Sequence, residues 1–188
     1  MKKIKVFTLA PRFSVTLRSK RGFTLIELLV VISIIAFLAT LAITALDKVR
    51  AQARDATRKS DLRQLAKALE LYYDDNNLYP TTGASNPWWG NCIGRGSYDI
   101  SGPTGWIPYL APAYLAKLPI DPKTTLLQDT SNCYIYRSDD SRKEYKILAA
   151  YTVETVCLSA TVKDDPMCDP HTGRPRSFSV WTEGAKMW

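Results

Sequence analysis

The sequence predicts an α+β fold, in which a long N-terminal helix packs on a small antiparallel β-sheet head. Three observations carry that reading. Residues 23–46 form a run with one charge, Glu27, and no Gly or Pro. Residues 47–76 also lack Gly and Pro and are rich in helix formers. Three strand-like runs, residues 133–137, 145–153 and 177–182, then follow a stretch full of helix breakers.

The first run sets the chain apart from an ordinary soluble domain. At 1.5 Å per residue, its 24 residues would make a helix about 36 Å long, against a hydrocarbon core of about 30 Å. It is too long for a signal-peptide core of about 7–15 residues, and no A-x-A-like site follows it, so it is expected to be retained. Leu, Ile and Val occupy every face, which predicts a membrane span.

Charge is distributed unevenly. The formal charge is +7, but residues 1–22 hold Lys2, Lys3, Lys5, Arg12, Arg18, Lys20 and Arg21 and no acid. Removing those seven from the 25 basic residues leaves 18, equal to the 18 acids. The basicity belongs to a leader, and the remainder has no global attraction for nucleic acid, so no specific nucleic-acid partner is predicted. Loop charge orients the span poorly, because residues 47–66 carry six Lys or Arg of their own. The cysteines orient it better. Cys92, Cys133, Cys157 and Cys168 all follow the apolar run, form no C-x-x-C pair and suit an oxidising compartment. That leaves the N-terminus in the cytoplasm.

Glu27 stands four residues after Phe23, on the same helical face. A cut after Gly22 would free an α-amino group at Phe23, one turn from the carboxylate, and the two charges could neutralise each other in an apolar setting. The string K-R-G-F-T-L-I-E-L-L-V-V-I-S-I-I-A, residues 20–36, resembles the class III signal of type IV pilins and type II secretion pseudopilins. The resemblance implies cleavage between Gly22 and Phe23 by a prepilin peptidase, N-methylation of Phe23, and a role for Glu27 in docking an incoming subunit. It further implies a homopolymer with other pilins, extracted from membrane lipid by an inner-membrane assembly platform and its ATPase. The mature product would be an extracytoplasmic filament, pilus or pseudopilus. Ala36 and Thr44 occupy positions where many members carry Gly and Pro, so this helix lacks their breakers.

Residues 47–76 are expected to continue the helix as an amphipathic stretch, with Leu62, Leu65, Ala66, Leu69, Tyr72 and Tyr73 toward a head formed by residues 77–188. Asn76, Asn77 and Pro80 should end it. Trp88, Trp89 and Trp106 lie in a Gly- and Pro-rich stretch and need cover, from the head or from a neighbouring subunit. Residues 106–123 resemble the segment of major pseudopilins in which a short helical turn leads into an L-P-x-D-P element, here residues 118–122. Asp121 in that element either orients the loop or is an ordinary turn residue. The polar run 138–143 suits a hairpin.

Four cysteines allow three pairings. Cys157–Cys168 would close a short loop, stabilising by about 3 kcal/mol in the chain-entropy model, and Cys92–Cys133 would tether the Gly-rich loop to the sheet. Asp164, Asp165 and Asp169 cluster near the short loop and offer oxygen ligands of the kind calcium takes, although their spacing is not that of an EF-hand. No cofactor is otherwise called for. His171 is the one histidine, and with the cysteines paired the parts for a nucleophilic triad or a His-based metal centre are missing. The chain reads as a structural subunit and not an enzyme. A DNA-binding pilin remains an alternative, through a local patch of Arg137, Arg142, Lys143 and Lys146.

Overall fold

A computed structural model describes residues 22–83, 88–124, 132–159, 164–171 and 173–188, with the backbone alone at 41–45. The basic leader, apart from Gly22, lies outside the described residues. One helix, α1, runs Leu25–Asn76, and four strands follow: β1 Trp89–Gly90, β2 Cys133–Ser138, β3 Tyr145–Ala150 and β4 Phe178–Trp181. The chain divides into two compact units, Met1–Ala42 and Ile43–Trp188.

In the second unit the strands form an antiparallel sheet in the order β1-β2-β3-β4. Side chains alternate across it. Tyr134 and Tyr136 of β2, Ile147 and Ala149 of β3 and Phe178 of β4 join one cluster with Leu62, Leu65, Ala68, Leu69 and Tyr72 of α1. Cys133, Ile135, Leu148 and Ala150 face the other way and pack with Trp88 and Cys92. Because both faces are covered, β3 is buried at every position. On the helix Ala68 takes the buried place expected of Ala66, which is only half-buried. On the helical wheel position 68 lies about 40° beyond Tyr72 and position 66 about 40° beyond Leu62, at opposite edges of the buried face, and the head covers the edge that carries Ala68.

The β2–β3 hairpin is closed by Asp139, whose carboxylate accepts the N–H groups of Lys143 and Glu144, each at 2.8 Å. Trp106 is wholly buried and donates its indole N–H to the Pro119 carbonyl at 3.2 Å. Trp88 is buried too, so the head itself covers these rings. The helical turn expected after Trp106 is one bond, Tyr114 N–H to Leu110 O at 3.0 Å. Cys92 is bonded to Cys133 and Cys157 to Cys168, with Cα separations of 5.6 and 5.5 Å.

Candidate assembly site

The first unit presents the residues of the leader junction. Gly22, Phe23 and Thr24 have no regular structure and are exposed, Phe23 to 81%. A Cβ added at Gly22 would meet nothing within 4 Å. The 22–23 peptide therefore lies in an exposed stretch without regular structure.

Thr24 begins the helix as its cap. Its Oγ1 accepts the Glu27 N–H at 3.3 Å, while Glu27 Oε2 accepts the Thr24 N–H at 2.8 Å and the Thr24 hydroxyl at 2.7 Å. This reciprocal pair is a capping box, and it satisfies amide donors that the first helical turn leaves without partners. It also fixes the Glu27 carboxylate, through one oxygen, on the residue that follows Phe23. Oε1 has no hydrogen-bond partner among the described residues.

Around and beyond Glu27 the helix is apolar and uncovered. Leu25, Ile26, Leu28, Leu29, Val30, Val31, Ile32, Ile34, Ile35, Phe37 and Leu38 are all exposed, and they cover every face of the helix. Apolar area of that extent marks an interaction surface for protein or lipid. The two hydroxyls in it are satisfied within the helix, Ser33 on Val30 O and Thr40 on Phe37 O, both at 2.7 Å. A dry environment would leave neither of them unpaired.

Among the described residues no helix is long and apolar enough to cross a membrane. The helical side chains described ahead of residue 41 run from Leu25 to Thr40, about 24 Å of helix against the roughly 30 Å of a hydrocarbon core. The span expected at 23–46 depends on residues beyond that stretch.

In the second unit a buried ionic cluster fastens the helix to two loops. Arg58 is fully buried. Its Nε and Nη2 donate to the two oxygens of Asp121 at 2.7 and 2.9 Å. Its Nη1 reaches Asp55 at 2.8 Å and Glu154 at 3.0 Å. Arg54 grips Glu154 through two bonds of 2.8 and 2.7 Å. Asp55 in turn accepts the N–H groups of Glu154 and Thr155, and Asp121 accepts the Thr152 hydroxyl at 2.9 Å. With Lys123 on Glu154, three cations face three carboxylates. Hydrogen bonds from Arg54 hold the Glu154 carboxyl down at about 2, against the burial that would raise it. Burial opposes the charge on Arg58, yet its carboxylate partners raise its pKa above the usual value.

Sequence reasoning missed this cluster, in which the buried Asp121 heads a turn and orients its loop, its carboxylate accepting the Lys123 N–H and its carbonyl the Thr124 N–H. One signal was available. Arg58 falls in register with Leu62, Leu65 and Leu69 on the buried face, and a charge on such a face demands a partner.

The three candidate calcium ligands go to separate protein donors. Asp164 accepts the Cys157 N–H at 2.7 Å, Asp165 pairs with Lys59, and Asp169 pairs with Lys146 at 3.0 Å. Asp164 also lies near the sulfurs of Cys157 and Cys168. Those sulfurs are bonded to each other and offer no thiolate. The cations of the basic patch suggested for nucleic acid also make contacts within the head. Lys146 is buried, Arg137 lies over the rings of Trp88 and Trp188, Arg142 donates to Tyr79 O, and Lys143 donates to Asn77 O.

Comparison with known proteins places these features in a family. The prokaryotic N-terminal methylation motif matches residues 17–43. The chain is 33% identical over 136 residues to the type II secretion system core protein G of Escherichia coli, covering 70% of this chain and 81% of that protein. It is 33% identical over 105 residues to the core protein G of Pseudomonas aeruginosa, covering 56% and 69%. It is 44% identical over 69 residues to the type IV wide pilus major component PilA4 of Thermus thermophilus, covering 37% and 53%. No solved structure matches. The chain belongs to the family of type IV pilins and type II secretion pseudopilins, whose members are structural subunits and not enzymes.

Proposed function

We propose that the protein is the precursor of a filament subunit of a type IV pilus or related filament, cut between Gly22 and Phe23 and polymerised through its N-terminal helix. The observation that carries this is the uncovered apolar helix with one carboxylate, Glu27, fixed beside an exposed Gly22–Phe23 peptide. Hydrolysis by a prepilin peptidase would leave a carboxylate on Gly22 and an ammonium on Phe23, which is then N-methylated. The leader departs with its lysines and arginines, and the helix is retained. Before assembly it would sit in membrane lipid with the N-terminus in the cytoplasm and the disulfide-bearing head on the oxidising side. An assembly platform driven by its ATPase would then move the helix from lipid into a bundle of like helices.

Glu27 supports that transfer physically. Its Oε2 is held by Thr24, and Oε1 is available for the ammonium at the tip of an adjacent subunit. Such a pair cancels two charges that would each be costly in an apolar bundle. A second reading, a type II secretion pseudopilus, is favoured by the extent of the likeness to core protein G, 136 residues in the Escherichia coli protein.

Glu27→Val tests the role of the carboxylate. The variant is expected to be cleaved normally and to be depleted from filaments at least about tenfold when co-expressed with wild type. Wild-type incorporation, measured by quantitative mass spectrometry of sheared filaments, would remove Glu27 from the docking step. Filaments extending micrometres from the cell would support the pilus, and their absence together with retained secreted protein in a deletion strain would support the pseudopilus.

A further inference from the structure

The head carries a cleft of about 540 Å³ that neither the helix nor the disulfides account for. Its walls come from three stretches of the breaker-rich loop. Trp89, Tyr109, Pro103, Pro108, Ser97 and Asp99 are among the residues that line it. The loop is held firmly. Cys92 ties it to β2, the buried Trp106 anchors it to Pro119, and Trp89 pairs with Tyr136 in the sheet register. Gly96 lies so close to the Trp89 indole that any Cβ there would collide with the ring.

Tyr109 is 59% exposed and has a φ of +62°, in the left-handed region that a bulky residue rarely adopts. Nothing in the fold requires a ring there, because its N–H bond to Gly102 O could be made by glycine. The Asp99 carboxylate has no partner among the described residues, and only its backbone is engaged.

We infer that this cleft binds a neutral saccharide. Asp99 is the one charged group among its described lining residues, so the site offers nothing to an anion. Two aromatic rings supply apolar faces for the C–H face of a sugar ring. A carboxylate and the hydroxyls of Thr81, Ser97 and Thr104 supply acceptors and donors for several hydroxyls at once. A lysine or arginine side chain could pair with the carboxylate and lie on the rings, but it donates and cannot accept, so it would leave the hydroxyl protons of Thr81, Ser97 and Thr104 without acceptors. Its volume falls in the range of small-ligand sites, about 300–1,000 Å³. A single shallow site would bind weakly, and a polymer bearing many copies would gain by avidity. The inference is independent of processing at Gly22 and of the kind of filament formed.

The test uses the full chain in a detergent without sugar headgroups. Saturation-transfer NMR is run with cellohexaose, maltohexaose and N,N′-diacetylchitobiose, each at about 10 mM, a range that covers weak binding. At least one is expected to receive saturation and to quench tryptophan fluorescence in a saturable way. Tyr109→Gly, which also relieves the backbone, and Asp99→Asn should each weaken that binding by about tenfold while near-UV circular dichroism stays unchanged. No saturation of any of the three sugars would overturn the inference. So would binding that both variants retain, or quenching by a lysine-containing peptide or choline in place of the sugars.

Discussion

Asp121 shows how much one side chain can hold in place here. It lies in a loop, yet its two oxygens receive Arg58, Thr152 and the Lys123 N–H, joining the helix to two separate segments. Asp121→Ala would leave the buried Arg58 without its principal counter-ion. Breaking a buried pair from one side costs about 3–5 kcal/mol, and a drop of that size in urea unfolding of the full chain is expected. A loss below about 1 kcal/mol would mean that the cluster is solvated, like a surface pair. Glu154 adds a pH dependence with a definite sign. Its folded value, about 2, is below the ordinary 4.5, so its contribution is complete above about 4.5 and is lost as pH falls toward 2. The melting temperature should therefore fall between pH 5 and 2, and less steeply in Glu154→Gln, as thermal circular dichroism would reveal.

At the level of elements, the sequence made plain whatever depends on local pattern. The helix expected over residues 23–76 is Leu25–Asn76, because no breaker interrupts it and the Thr24–Glu27 pair caps its start. The strand expected over residues 145–153, β3, ends at Ala150, and Tyr151 after it turns into the left-handed region with φ +57°. Strand β1 left no mark on the sequence, since two residues have no periodicity and its existence rests on pairing with β2. The Arg58 cluster was obscured for a related reason, because its partners lie 63 and 96 residues away. The cysteines left three pairings open, and the approach of the loop to β2 sets Cys92 beside Cys133. Replacing Cys157 and Cys168 together by serine should cost about 3 kcal/mol, the chain-entropy value for so short a loop. Unchanged stability on reduction or replacement would show that the unfolded chain is already restricted there. The cleft between Trp89 and Tyr109 was equally out of reach of pattern, because three loop segments meet to form it.

For the whole molecule, two units divide the work. The disulfide-bonded head is folded around Leu62, Leu65, Leu69 and the tyrosines of β2. The apolar helix ahead of it has an uncovered surface that water does not favour. In the proposed account the helix passes from one dry environment to another once a basic leader is removed at the Gly22–Phe23 peptide. Intact-mass measurement and N-terminal sequencing of the protein isolated from cells test this most directly. The account predicts a mature chain that starts at N-methylated Phe23, and a Gly22→Ala variant that keeps Met1 while its head remains folded, since that methyl group meets no neighbour. Mature wild-type protein that still carries Met1, or a cut at any other peptide, would contradict it.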